Sequence, residues 1–350
     1  MSASTEVQHR RWLFVALIFV ISSVPFQNSN AQIGVPATAV PQMVQRLQAP
    51  RVEAVLPEAL ALGQNLLRER RYDDANVLFT AILNKRPEEA AALYGAALAL
   101  FNLGRTAEAE PLARQAADAY FPKNVRSLTG EQRQPEADAL ILLALIEAAS
   151  GHDAQALKSV ERAAALAPQH FDAQFTLGRA RFGMGDYAGA VVAFRAAVKL
   201  KPDDPTPVFF LATALENSGD VISARQSYRE MVRRWPERPE GHLGLGVSLI
   251  KGGAADAAEG ISELKIAVEL DPNQYESQVN LGRALLAQKL AEESVGHLQR
   301  AAALQPANPE PHYQLALAYR RLGMNDKAVA ETEIVKRIHE TRRGERDSKQ

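Results

Sequence analysis

The chain has 350 residues, a formal net charge of −1 and no cysteine. Such a balanced charge gives no global field that would recruit nucleic acid or an anionic membrane, and the lack of cysteine excludes a disulfide framework and thiol catalysis. The composition is 47% hydrophobic but only 6% aromatic, which favours many small helix contacts over one bulky core.

Residues 1–31 have the pattern of an export signal. Basic residues precede an apolar run at residues 12–26, and Ser29 and Ala31 are small residues of the kind that a signal peptidase prefers. The run is shorter than the roughly 20 residues that a membrane-spanning helix needs. The sequence therefore predicts cleavage after Ala31 and a periplasmic or extracellular protein, with an uncleaved amino-terminal membrane anchor as the alternative.

Residues 32–55 read as a flexible leader. Pro36, Pro41 and Pro50 interrupt this stretch, and proline disfavours a continuous helix. At most one short turn is expected, around residues 42–47.

The segment from Phe171 to Asp204 contains the pattern that organises the rest of the chain. Apolar residues recur at spacings of three and four up to Gly183, which predicts a helix. Glycines then end this helix, Asp186 is placed to cap a second helix over about 187–200, and Pro202 stops it. Two helices this short cannot bury their apolar faces alone, so the pattern predicts neighbouring copies.

Copies of this 34-residue pattern occupy residues 56–123 and 137–342. When each copy is counted from its first residue, position 8 is always glycine or alanine, position 20 is always small, and position 32 is proline in six of eight copies. Small residues at positions 8 and 20 suit two helix axes that approach closely. The eight copies begin at residues 56, 90, 137, 171, 205, 239, 275 and 309.

This periodicity resembles the tetratricopeptide repeat family. The resemblance implies an all-α fold, a right-handed α-solenoid of about eight helix-turn-helix repeats. Two features depart from the family pattern: position 4 never holds tryptophan, and the sixth repeat, residues 239–274, is two residues longer in the turn between its helices.

Two segments fall outside the repeats. Residues 124–136 are polar and contain helix breakers, so they predict an insertion that is either a solvated spacer, an extension of the preceding helix or a functional loop. Residues 343–350 form a charged tail, which suits the polar end of a repeat array.

The chain lacks recognisable catalytic patterns. Its seven histidines include no pair at i and i+4, and the glycines of 241–246 lie inside a predicted helix without the strand and Gly-Lys-Ser/Thr of a phosphate-binding loop. His242 and His312 share position 4, where a packing residue is expected. We therefore predict no catalytic residue, no metal and no cofactor.

The resemblance also indicates which surface to inspect, because first helices of tetratricopeptide arrays line a concave groove. The lysine and asparagine clamp of chaperone-binding members occurs here only in fragments, which does not support a co-chaperone role. Carried over position by position, the predicted partner-binding groove comprises Tyr94, Phe101, Phe175, Arg179, Phe182, Phe209, Phe210, Glu216, Asn280, Arg283, Tyr313, Gln314 and Arg320.

An aromatic groove with cationic residues towards its carboxyl end suits a protein or peptide with apolar anchors and acidic character. The hypothesis is a non-catalytic scaffold that assembles an envelope or secretion complex, with no nucleic-acid partner and with membrane contact only if residues 1–31 are retained. Two alternatives stay open: a self-associating structural protein, and an accessory subunit of an enzyme carried on another chain.

Overall fold

The structure is a computed structural model that describes residues 34–48, 52–120 and 133–347. Within these ranges it is all helical and divides into two units after Pro202. Among the described helices, none is long and apolar enough to cross a membrane. The predicted signal, residues 1–31, lies outside the described residues.

The described part of the first unit contains nine helices. They are α1 (Ala39–Leu47), α2 (Val52–Arg68), α3 (Tyr72–Leu83), α4 (Ala90–Asn102), α5 (Thr106–Ala119), α6 (Gln134–Ala149), α7 (Asp153–Leu166), α8 (Phe171–Gly183) and α9 (Tyr187–Leu200).

The second unit contains eight helices, with a short 3₁₀ turn at Ala254–Asp256 in the longer sixth repeat. They are α10 (Pro205–Asn217), α11 (Val221–Arg234), α12 (Pro239–Gly252), α13 (Ala257–Leu270), α14 (Tyr275–Ala287), α15 (Ala291–Leu304), α16 (Pro309–Arg321) and α17 (Asn325–Asp347).

Helices α2 to α17 form eight antiparallel pairs, which confirms the predicted α-solenoid fold. In the fourth repeat, Asp186 accepts a hydrogen bond from the backbone N–H of Gly189 at 2.9 Å, as a cap should. Ala190 and Phe194 are fully buried, and a Cβ added at Gly178 would lie 2.6 Å from the Phe194 ring. The small residue at position 8 is therefore required by the side chain that lies against it.

Position 15 of every repeat adopts a positive φ between the paired helices. Glycine occupies this position in six repeats, where it adopts the left-handed conformation without a Cβ penalty. Arg70 and Lys289 hold the same conformation, with φ of 59° and 66°, in the other two. The turn geometry is thus set by the packing of the two helices even where the residue disfavours it.

The predicted flexible leader is largely a packed helix. In α1, Val40, Met43 and Leu47 are buried against α2 and α3. Their spacing of three and four residues gives the short helix one apolar face. Pro41 does not prevent it because a proline in the first turn removes no intrahelical hydrogen bond.

Two other predicted boundaries shift by a few residues. Helix α2 begins at Val52 rather than 56, and α6 already begins at Gln134, inside the predicted insertion; residues 124–132 lie outside the described residues. Helix α17 continues to Asp347, so the first part of the predicted charged tail is helical.

Two glycine substitutions test the register in opposite directions. Gly178→Leu should lower the free energy of unfolding by roughly 1–3 kcal/mol, because the new side chain must displace the Phe194 ring. Gly296→Ala should raise it by about 0.5–1 kcal/mol, because Gly296 is an exposed helical residue with nothing within 4 Å of an added Cβ. Urea denaturation followed by circular dichroism measures both, and equal shifts for the two variants would contradict the register.

Candidate partner-binding surface

Three of the predicted groove residues in the first unit are buried. Phe175 is 5% exposed and stacks on Phe171, with ring centroids 5.6 Å apart. Phe101 belongs to a core cluster, and burial lowers the pKa of Arg179 to about 10. These side chains are therefore largely withdrawn from solvent, and the prediction that they line an accessible groove is corrected.

The other two predicted residues of the first unit are half-buried. Burial raises the pKa of the Tyr94 hydroxyl, and the Phe182 ring meets Tyr187 edge-on at 5.2 Å between centroids. Both rings thus contribute mainly to packing within the unit and present only part of their surface.

The second unit presents a more accessible surface on its first helices α10, α12, α14 and α16. Phe209 and Phe210 are half-buried on α10 and lie edge-on, 5.7 Å apart. Glu216, at the end of the same helix, pairs with Lys251 of α12 at 2.5 Å. The predicted residues of α10 therefore share one face and connect it to the next repeat.

Three aliphatic residues of α12 extend this face. Leu243, Val247 and Ile250 are half-buried and pack against a core formed by α13 and α14. They occupy repeat positions 5, 9 and 12, which the family resemblance assigns to the groove. The predicted site contains only aromatic, charged and amide side chains and does not include these three residues.

On α14 the face becomes polar. The Asn280 amide donates to the Glu276 carbonyl at 2.7 Å, and its oxygen accepts from the Arg283 guanidinium at 2.7 Å. Arg283 also donates to Glu310 of α16 at 3.2 Å, and both of these side chains are about half exposed. Arg283 is therefore a solvent-accessible cation that is already oriented by two neighbours.

On α16, Tyr313 is 54% exposed, Arg320 is exposed and Gln314 is half-buried. The Tyr313 hydroxyl lies 3.4 Å from His339 Nε2 of α17. The structure therefore places Tyr313 over the last helix as well as beside the other first helices. We call the surface formed by Phe209, Phe210, Leu243, Val247, Asn280, Arg283 and Arg320 the first-helix face.

The histidines at position 4 have a structural role. His242 bonds through Nδ1 to Glu263 at 2.6 Å and through Nε2 to the Pro236 carbonyl at 2.9 Å, while His312 bonds to Glu331 at 2.6 Å. Gln278, at the same position, donates to the Pro272 carbonyl and bonds to His297 at 2.9 Å. Positions 4 and 23 thus form one polar pair in each of the last three repeats.

A metal site would need several such groups to converge. In the ranges that the structure describes, no group of three or more histidine, aspartate or glutamate side chains is arranged to hold a metal ion.

Comparison with known families identifies the class. The tetratricopeptide repeat family model matches residues 60–121, 141–205, 210–265 and 255–309, which is more than half of the chain. The chain therefore belongs to the tetratricopeptide repeat family, whose members act as scaffolds for protein–protein interaction. No curated protein sequence matches it.

Several solved structures are similar to this chain at low sequence identity. The C-terminal part of a TPR repeat-containing protein from Cytophaga hutchinsonii has a TM-score of 0.55 and 12% identity, covering 73% of this chain and 99% of that one. The Cut9–Hcn1 hetero-tetramer of the APC/C gives 0.53 and 17%, covering 85% and 55%. MamA from Desulfovibrio magneticus RS-1 gives 0.44 and 18%, covering 49% and 96%.

The pair of Gln278 and His297 predicts a pH dependence of stability. Burial, and secondarily Lys265, lowers the pKa of His297 below 6.5, with Glu293 acting in the opposite sense. The folded state therefore resists a proton that the unfolded state accepts. Stability present above about pH 6.5 should decline as the pH falls through the lower folded-state pKa. Urea denaturation at about pH 7.5 and about pH 5.5 measures how much unfolding free energy is lost on acidification. The loss should be smaller for His297→Gln than for the unsubstituted chain, and an identical loss in both would contradict this assignment.

Proposed function

We propose that the first-helix face of the second unit binds an extended peptide or a helix of a partner protein, without chemical turnover. The observation that carries the proposal is the change from apolar to polar side chains along this face. Half-buried aromatic and aliphatic residues on α10 and α12 lie next to the half-buried Asn280 and the exposed Arg283 of α14. Apolar anchors beside an arginine are where binding free energy concentrates at protein interfaces.

The ion pair of Arg283 and Glu310 supports recognition of an acidic group. Both side chains are about half exposed, so the pair contributes only about 0–1 kcal/mol to stability. A carboxylate of the partner can replace Glu310 at the guanidinium with little loss to the fold. Asn280 keeps the guanidinium oriented during that exchange, because its bond to Arg283 does not involve Glu310.

The site of action is also part of the proposal. The basic, apolar and small-residue pattern of residues 1–31 supports export, and an exported scaffold is suited to assembly of an envelope or secretion complex. Self-association and service as an accessory subunit of an enzyme on another chain are the competing roles, and the partner experiment below distinguishes them.

A matched pair of double variants tests the binding face. Arg283→Ala with Arg320→Ala should reduce capture of the partner by about tenfold or more, because it removes two exposed cations of the first-helix face. Arg229→Ala with Arg233→Ala removes the same charge from the second helix α11, and it should leave capture unchanged. The measurement is affinity capture from envelope extracts, quantified by mass spectrometry, with helicity checked by circular dichroism.

Equal capture by the two double variants would contradict the proposed face. Recovery of only further copies of this chain would support self-association instead. Recovery of an enzyme that both variants retain would support the accessory-subunit role through another surface.

Amino-terminal processing tests the export proposal. Expression of the full sequence in a bacterial host should yield a product that begins at Gln32 and is released with the periplasmic fraction, since cleavage is predicted after Ala31. Intact-mass spectrometry identifies the first residue. A product that retains residues 1–31 in the membrane fraction would support the uncleaved anchor, and one that retains them in the cytoplasm would contradict export.

A further inference from the structure

Comparison of the last two repeats shows a groove that the described residues leave open. In the seventh repeat, Val279, Leu298 and Ala301 are at most 4% exposed because Leu315 and Tyr319 of α16 pack against them. The residues 34 positions later, in the eighth repeat, are Tyr313, Thr332 and Val335. The surface formed by these three residues of the eighth repeat is therefore equivalent to the surface of the seventh repeat that α16 covers.

The corresponding surface of the eighth repeat remains accessible. Tyr313 is 54% exposed and Val329 is 68% exposed, whereas the equivalent Val279 is buried and Val295 is half-buried. A groove of about 400 Å³ lies between α16 and α17, with Val335 at its floor. We call this surface the end groove; it is lined by Tyr313, Thr332, Val335, Lys336, His339, Glu340 and Arg343. Val329 lies three residues before Thr332, on the same face of α17.

The charged residues that line the end groove in the described part of the chain are Lys336, Glu340 and Arg343, which together carry a net positive charge. Lys336, His339 and Arg343 follow one another at spacings of three and four along α17, so they lie along one stripe of the helix. Glu340 is the one acidic residue that lines the groove. A helix that packs there would meet apolar surface at the centre and cations along α17.

Helix α17 is also longer than the second helices of the other repeats, 23 residues against 14 in α15. Arg342 donates to the Ala307 carbonyl at 2.6 Å, which ties the extension to the loop between α15 and α16. The extension therefore places Arg343 beside the groove, and its contact with the loop reduces the ordering cost of binding.

We propose that the end groove binds an amphipathic helix of a partner protein that carries an acidic flank. Helical shape follows from α16, which covers the equivalent surface one repeat earlier. The acidic flank follows from charge complementarity with Lys336 and Arg343. This surface is separate from the first-helix face, and the proposal does not depend on that face binding anything.

A second copy of the chain suits the end groove poorly. Two end grooves placed face to face would bring together two surfaces of the same net positive charge, and like charges disfavour such a contact. Helix α1 of a second copy could also be considered as the occupant of the end groove. However, α1 contains Arg46 and no acidic residue, so it offers no negative charge to Lys336 and Arg343.

A pair of synthetic peptides tests the proposal. Both carry the side chains with which α16 packs, Leu315, Ala316, Ala318 and Tyr319, at their native spacing in an otherwise alanine-rich helix. One peptide has glutamate at the flanking positions and the other has lysine. With the full chain, fluorescence anisotropy should show binding of the glutamate peptide about tenfold or more tighter than the lysine peptide.

Single substitutions locate the binding. Lys336→Glu should weaken binding of the glutamate peptide by about tenfold, because it reverses a charge that lines the groove. Arg337→Glu makes the same charge change at the adjacent exposed residue, which does not line the groove, and should change binding less than about twofold. Val329→Ser should weaken binding of both peptides, and its 68% exposure makes a folding defect unexpected.

Three results would overturn the proposal. They are equal binding of the glutamate and lysine peptides, equal losses for Lys336→Glu and Arg337→Glu, and a dimer of the full chain that the glutamate peptide dissociates. The last result would assign the end groove to a second copy. Loss of partner capture by the first-helix variants alone would leave this proposal intact.

Discussion

The fold depends on the contact between position 8 on the first helix of a repeat and position 24 on the second. Phe79, Phe194, Leu264 and Leu298 occupy position 24 in four repeats, and in each of these the residue at position 8 is glycine. A Cβ added at Gly63, Gly178, Gly246 or Gly282 would lie 2.5–2.8 Å from that side chain.

Where position 8 is alanine, position 24 holds a smaller or polar residue, with one exception. Tyr228 occupies position 24 of the fifth repeat and packs against Gly244 of the following helix instead. The pairing of a large residue with a missing side chain fixes how closely the helices approach, and the other repeat positions follow from that distance.

This pairing of a large residue with a small one recurs in the sequence, which explains why the repeat architecture could be predicted from one sequence. Small residues at positions 8 and 20 and proline at position 32 recur at fixed spacing, so helix pairs, capping by Asp186 and the register were all predictable. The helix α1 was not, although Val40, Met43 and Leu47 carry its apolar spacing, because one nine-residue segment with prolines around it has no repeated pattern to support it. The positive φ at Arg70 and Lys289 was also unpredictable from residue type, since it follows from the turn that the flanking helices impose.

The candidate site was predicted less completely, because repeat positions specify direction but not exposure. Phe175 and Arg179 occupy groove positions, yet stacking on Phe171 and burial on α8 remove them from the accessible surface. Arg283 occupies the position equivalent to Arg179 but is exposed, although its bond to Glu310 of the next repeat could not be inferred from composition. Tyr313 shows a further difficulty. Its neighbour His339 lies 26 residues later on the extended part of α17, so its position beside the end groove depends on a helix length that the repeat pattern does not specify.

The central claim is that partner recognition uses the first helices of the second unit, and site-specific photo-crosslinking tests it most directly. A photoreactive residue at Leu317, which is 41% exposed on α16, compares with the same residue at Ile222, which is 76% exposed on the second helix α11. We expect a crosslinked partner from Leu317 and none from Ile222, although Ile222 is the more exposed of the two. A partner crosslinked from Ile222 and not from Leu317 would contradict the account, because recognition would then use the second helices.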